Sequence, residues 1–289
     1  MVPTGGPGSV RDTTQSPEAW KVGEEATPLP GETLDSLLRG RLKILQHREG
    51  YRFSIDPLLL AHFFPLNRLF RVADLGTGCG VIALLLALRA PRLRITGYEV
   101  QGALCRLARR NAALNGFADR ITIEEIDIRK LPHLSPPRFD GVVMNPPYLP
   151  RAGGLVNRQA ERAIARHEIR ATLEDFLRAA EILLQGRGRL GIVYPASRTS
   201  ELLTRLQHHR FAPKRLRFVH PHPGNPARLI LVEARYHGKP SVEILPPLIL
   251  HDATGSYSEE AERILSPPSP VATSHDHTTP APTGEEQRD

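Results

Sequence analysis

The chain has 289 residues and a formal charge of +7, and residues 1–31 and 266–289 are rich in Pro, Gly, Ser, Thr and charge, with few groups able to form a core. Cys79 and Cys105 make neither a disulfide framework nor a metal quartet, and the 12 histidines include no HExxH and no partners at ligand spacing for His220 and His222 or for His275 and His277, so no metal is expected. No apolar run approaches the roughly 20 residues of a membrane helix, and the N-terminus lacks a basic segment followed by an apolar one; the reading is a reduced, cytoplasmic protein that stays off membranes.

Both ends read as disordered tails. They carry charges of −2 and −3, which leaves +12 on residues 32–265, a length suited to one α/β catalytic domain. That much positive charge on a compact body favours a polyanionic partner, because nucleic-acid affinity is largely phosphate neutralisation with release of counterions.

In chain order, Leu42–Gln46 reads as a short strand, and Pro57 starts a helix over Leu58–Phe64 with Ser54 or Asp56 near its cap. From Arg71 a strand, glycine turn and helix pattern repeats. Strands are expected at 72–75, 93–100, 121–126, 139–144, 189–194, 215–219 and 229–234, and helices at 81–89, 103–115, 173–185 and 198–208. This alternation implies a Rossmann-like, doubly wound, seven-stranded and mostly parallel sheet, to which a late hairpin adds one antiparallel edge strand.

The turn after the first of these strands reads Asp74-Leu75-Gly76-Thr77-Gly78-Cys79-Gly80, which is not the GxGxxG of dinucleotide enzymes. Glycines at 76, 78 and 80 let the backbone approach a ligand, and the helix beyond offers free N–H groups. Glu99 ends the next strand, where a carboxylate accepts hydrogen bonds from both hydroxyls of a ribose. Asp127 and Ile128 follow the third, where a carboxylate and an apolar contact hold an adenine. Ligands of open α/β sheets sit at the carboxyl ends of strands, so these positions and Asn145 fall on one rim.

Asn145-Pro146-Pro147-Tyr148 directly follows the apolar run ending at Met144. The Asn145 side-chain oxygen and the Pro146 carbonyl are two acceptors that the prolines hold converging on one NH2 group, and Tyr148 supplies a flat face for a base or an amide. The signature is one of methyl transfer to a planar amino group.

The motifs DLGTGCG, Glu99, Asp127 and NPPY resemble those of class I S-adenosylmethionine-dependent methyltransferases acting on exocyclic nitrogen. Over most of residues 40–265, the stretch from Gly50 to Ala61, Arg166-His167-Glu168, Asn225-Pro226-Ala227-Arg228 and Pro246-Pro247-Leu248-Ile249 are similar to the bacterial tRNA(Val) adenine-37 N6-methyltransferase family. The resemblance implies S-adenosylmethionine as cofactor, tRNA as partner, adenine N6 as acceptor, and a monomeric enzyme with Asn145, Pro146 and Tyr148 at the reacting amino group. Both long tails depart from that pattern, as does Leu149-Pro150.

Arg158, Arg162, Arg166 and Arg170, spaced by four, share one helical face beside the catalytic loop and are expected to contact RNA phosphates; Lys214, Arg215, Arg217, His220 and His222 form a weaker basic cluster. Tyr51 and Phe53 read as core, and Cys79 as a small residue fitted into the turn. Three alternatives remain: a protein glutamine N5-methyltransferase, because NPPY orients a carboxamide equally well; a non-catalytic RNA-binding module; and a DNA adenine methyltransferase, against which no segment is long enough to be a base-reading domain.

Overall fold

The computed structural model describes residues 27–49, 54–148 and 171–265. An antiparallel hairpin, β1 (Glu32–Leu37) and β2 (Leu42–His47), precedes α1 (Asp56–Phe63). The main sheet then takes β3 (Arg71–Leu75), β4 (Arg94–Glu99), β5 (Ile121–Glu125), β6 (Phe139–Met144) and β7 (Leu184–Pro195), with α2 (Val81–Arg89), α3 (Gly102–Leu114) and α4 (Leu173–Leu183) as connections. After α5 (Thr199–His208) come β8 (Phe211–His220), β9 (Leu229–Tyr236), the two-residue strands β10 (Glu243–Ile244) and β11 (Leu248–Ile249), and α6 (Glu259–Leu265).

Strand order is β10-β8-β9-β7-β6-β3-β4-β5, with β11 also on β8. All seven expected strands are present, within a sheet of nine. The antiparallel strand is not at the edge, however: β9 runs between β7 and β8 and is antiparallel to both. Its sequence carries the reason. Ile230–Ala234 is buried throughout, with Ile230 and Val232 in one core and Leu231 in the other, so β9 needs cover on both faces and neighbours on both sides. The half-exposed β8 takes the outer place, and β10 and β11 cover its free edge.

Alternation along the central strands builds two cores. Val72, Val143 and Val193 pack with α1, α2 and α3, whereas Ala73, Val142 and Ile192 pack with α4 and α5. On the second face His209, buried at the end of α5, places its two ring nitrogens 2.8 Å from Glu174 Oε1 and 3.0 Å from Glu181 Oε2 of α4. His209→Ala leaves both carboxylates without this partner and is expected to lower stability by about 2 kcal/mol, measured by urea denaturation.

The hairpin was legible only in its second strand. The outer edge of β2 pairs with α3 rather than with a strand. Asn111 exchanges bonds with Leu45 N–H (2.7 Å) and C=O (3.0 Å), and Asn115 does the same with Lys43 (2.9 and 2.7 Å). Four residues apart on the helix, the two amides stand in for an adjacent strand. At α1, Pro57 lies in the first turn as expected, and Ser54 and Asp56 flank the N-cap Ile55; Ile55 has no capping side chain, and the Asp56 N–H donates to Ser54 Oγ at 3.3 Å.

Candidate active site

The carboxyl ends of β6, β3, β4 and β5 lie side by side, so Asn145, the glycine turn, Glu99 and Asp127 occupy one rim, about 15 Å across at ordinary strand spacing. The turn is tied to its neighbour: Gly76 and Thr77 N–H both donate to the Tyr98 carbonyl, at 2.8 and 3.1 Å. Gly78 has φ +60° and a Cβ there would meet nothing within 4 Å, so its backbone borders open space; Gly80, at φ +89°, starts α2 against Ala108.

Asp74 is fully buried. Its Oδ2 accepts from the Thr77 hydroxyl at 2.6 Å, while Oδ1 has no hydrogen-bond partner among the described residues. Desolvation pushes its carboxyl up to about 7, against the lowering pull of the Thr77 hydroxyl and the Ala83 N–H. The folded state holds this proton more tightly than the unfolded chain, so the contribution is full below about pH 4 and is lost as pH rises through about 7.

Glu99, also buried, spans the turn. Gly78 N–H donates to Oε2 at 3.0 Å, and Val100 and Gln101 N–H both donate to Oε1 at 2.9 Å. Oε2 thus retains acceptor capacity beside the open Gly78 backbone. Asp127 caps the 3-10 turn Ile128–His133, and its carboxylate is held below the usual range, chiefly by the Arg129 side chain that folds onto it. Ile128 is buried. Burial pushes the Cys79 thiol up to about 12, in keeping with a packing role.

At the end of β6, Asn145 Oδ1 lies 2.9 Å and Asp56 Oδ2 lies 3.0 Å from the Tyr148 hydroxyl. The Tyr148 ring stands edge-to-face against Tyr194, with centroids 5.8 Å apart, and Arg198 covers Tyr194 at 4.9 Å. Asp56, expected near a helix cap, thus lies in the same hydrogen-bond cluster as Asn145 and Tyr148. Only the Ser-Ile-Asp-Pro stretch hinted at it, because the contact spans 92 residues.

Arg158, Arg162, Arg166 and Arg170 lie outside the described residues, as do Tyr51 and Phe53. In the second basic cluster, Arg215 bonds Glu233 at 3.2 Å and covers Phe63, Arg217 bonds Glu260 at 2.7 Å, and Lys214 bonds the Lys239 carbonyl. These three side chains are engaged within the fold, whereas His222 of the same cluster is exposed. Among the described residues no group of three or more His, Cys, Asp or Glu side chains could hold a metal, and no helix is long and apolar enough to cross a membrane.

Residues 55–211 match the methyltransferase small domain family. The chain belongs to that family. This methyltransferase small domain protein is 38% identical over 200 residues to the tRNA1(Val) (adenine(37)-N6)-methyltransferase of Porphyromonas gingivalis, covering 67% of this chain and 77% of that one. The enzyme of the same name from Aeromonas hydrophila is 32% identical, covering 76% of this chain and 91% of that one. Among solved structures, a predicted O-methyltransferase from Agrobacterium tumefaciens superposes with a TM-score of 0.59 at 26% identity, over 72% of this chain and 94% of that one. Family and fold together imply a methyltransferase that depends on S-adenosylmethionine.

Proposed function

We propose that this methyltransferase carries a methyl group from S-adenosylmethionine to N6 of an adenine in tRNA, at position 37 of a tRNA(Val)-like substrate, acting as a monomer in the cytoplasm. The observation that carries the reading is the end of β6. There Asn145 offers a side-chain acceptor that the Tyr148 hydroxyl meets at 2.9 Å, one strand from the glycine turn. The curated relatives named for this same reaction support the choice of acceptor.

The described residues fit the cofactor. Asp74 has a buried acceptor in reserve, which suits an ammonium; Glu99 has acceptor capacity beside an open glycine backbone, which suits ribose hydroxyls; Asp127 and Ile128 offer a carboxylate and an apolar side chain, which suit an adenine. S-adenosylmethionine supplies a methyl group already activated on a positively charged sulfur. The chain's own contribution is therefore orientation more than acid–base chemistry. Asn145 Oδ1 and the Pro146 carbonyl accept the two N–H bonds of the target amino group and aim its lone pair, while Tyr148 stacks on the base. The Tyr148 hydroxyl lies against both Asn145 Oδ1 and Asp56 Oδ2; with Asp56 as its acceptor, Oδ1 is available to the amino group. A tRNA adenine has to swing out of its loop to reach this pocket. The arginine stripe at 158–170 is the proposed phosphate contact.

Asp74 gives a pH signature. An ammonium beside it favours the ionised carboxylate, so below about pH 7 cofactor binding has to expel a proton. Calorimetry is expected to show affinity for S-adenosylmethionine rising by up to about tenfold per unit as pH approaches that value, and a flatter profile for Asp74→Asn. The function itself is tested with labelled S-adenosylmethionine and total tRNA from a strain lacking the activity, followed by mass spectrometry of the nucleosides. N6-methyladenosine in one tRNA is the expected result; label in a protein fraction instead would favour the glutamine reading.

A further inference from the structure

The two loops at the carboxyl end of β8 hold an aromatic stack that the proposed chemistry does not use. His222 and His251 have ring centroids 5.1 Å apart and are inclined by 31°; His251 and Tyr257 are 4.8 Å apart and inclined by 20°. His251 is thus sandwiched, while His222 is exposed and Tyr257 is 44% exposed, leaving both ends of the stack accessible.

The stack is built rather than incidental. Asp252 Oδ1 accepts from Thr254 N–H at 2.8 Å and from Ser256 N–H at 3.2 Å, which closes the turn and returns Tyr257 to His251 through a backbone bridge. His251 N–H donates to the Pro221 carbonyl at 2.9 Å. The other loop is fixed by His220 Nδ1, which lies 2.7 Å from the Asn225 carbonyl, and by Arg228 N–H donating to Val219 at 2.8 Å. Neither His222 nor Tyr257 belongs to the hydrophobic cores, so this hydrogen bonding arranges rings that face solvent.

Position decides what such rings are for. Because β9 is antiparallel to both neighbours, β8 is parallel to β7, and its end at His220 lies on the same rim as Asn145. Three strand spacings separate β8 from β6, about 15 Å. That is within reach of the nucleotides flanking a base held at Asn145. Arg228, exposed at the foot of the same loop, adds a cation, and residues 32–265 carry a net +12. Fixed aromatic faces beside a cation, on a basic body, match single-stranded nucleic acid, whose bases stack on rings while phosphates meet arginine.

We propose that His222, His251 and Tyr257 form a stacking platform for an unpaired nucleotide of the RNA substrate, one that neighbours the target adenine, with Arg228 on its phosphate. The platform rests on the RNA reading above and sets which loop sequences are accepted. A stacked base is worth about 5- to 150-fold in affinity.

The test uses the full-length protein, an anticodon stem-loop RNA and, separately, S-adenosylmethionine. The His222→Ala and Tyr257→Ala double variant is expected to raise KM for the stem-loop by about 10- to 100-fold, with the change in KM rather than kcat and with calorimetric cofactor affinity preserved. Tyr257→Phe is expected to keep most of the wild-type KM, and Tyr257→Leu to lose it, because the ring and not the hydroxyl is at work. Thermal melting of each variant shows whether the fold is retained. If the wild type methylates the stem-loop and the folded double variant keeps its KM, the platform is overturned while the RNA reading stands. A wild type that binds cofactor but methylates no RNA removes that reading, and the platform with it.

Discussion

Replacing Asn145 by alanine is expected to lower kcat for methyl transfer by about a thousandfold while leaving the calorimetric affinity for S-adenosylmethionine within a factor of three of wild type. The reason is that Asn145 Oδ1 contacts the Tyr148 hydroxyl and belongs to the amino-group side of the rim, whereas the glycine turn is held by Tyr98 and Glu99. In the proposed mechanism, loss of the side chain leaves only the Pro146 carbonyl to orient the nitrogen. Simultaneous loss of turnover and cofactor binding would mean that Asn145 supports the architecture of the rim instead. Asp56→Asn is a useful companion, since it alters the hydroxyl's other acceptor without touching Asn145.

Glu99→Ala is expected to weaken S-adenosylmethionine binding by about a hundredfold. Two losses combine: the proposed acceptor for ribose hydroxyls disappears, and the N–H groups of Gly78, Val100 and Gln101 lose the carboxylate that fixes them. Glu99→Gln separates the two in part. Its carbonyl oxygen can still serve Val100 and Gln101, but its NH2 group then meets the Gly78 N–H donor to donor. Calorimetry on both variants, with far-UV circular dichroism to establish folding, measures the effect; an unchanged Kd in folded Glu99→Ala would place the ribose elsewhere.

The elements that the sequence made plain are those whose local pattern and tertiary fate agree. Val81–Leu88 is an unbroken apolar run between Gly80 and Pro91, and Phe139–Met144 is mostly apolar with prolines at 136, 137 and 146 close by; both ends of the helix and of the strand were correctly placed. The rim motifs were legible for a related reason: each lies within a few residues of a strand end, so the topology delivers them together. What was hidden depends on distant partners. β1 reads Glu-Thr-Leu-Asp-Ser-Leu, with little to mark a strand, and exists by pairing with β2. Asp56 acquires its neighbour Tyr148 across 92 residues, and Arg217 of the weaker basic cluster is paired with Glu260 on α6, a helix not among those expected. The place of β9 was misread because a late hairpin was expected to stop at the margin of the sheet, although its own run of buried apolar residues argued for the interior.

Asn111 has a further consequence. Besides serving both backbone groups of Leu45, its amide donates to the Cys79 carbonyl at 2.9 Å. One fully buried side chain thus rivets the hairpin and the glycine turn to the same helix. Residues 32–47 and 76–80 are then mechanically one piece, and coupling of this kind is reciprocal. Whatever steadies the turn stiffens the hairpin, and a hairpin worked loose slackens the turn from the far side of the helix.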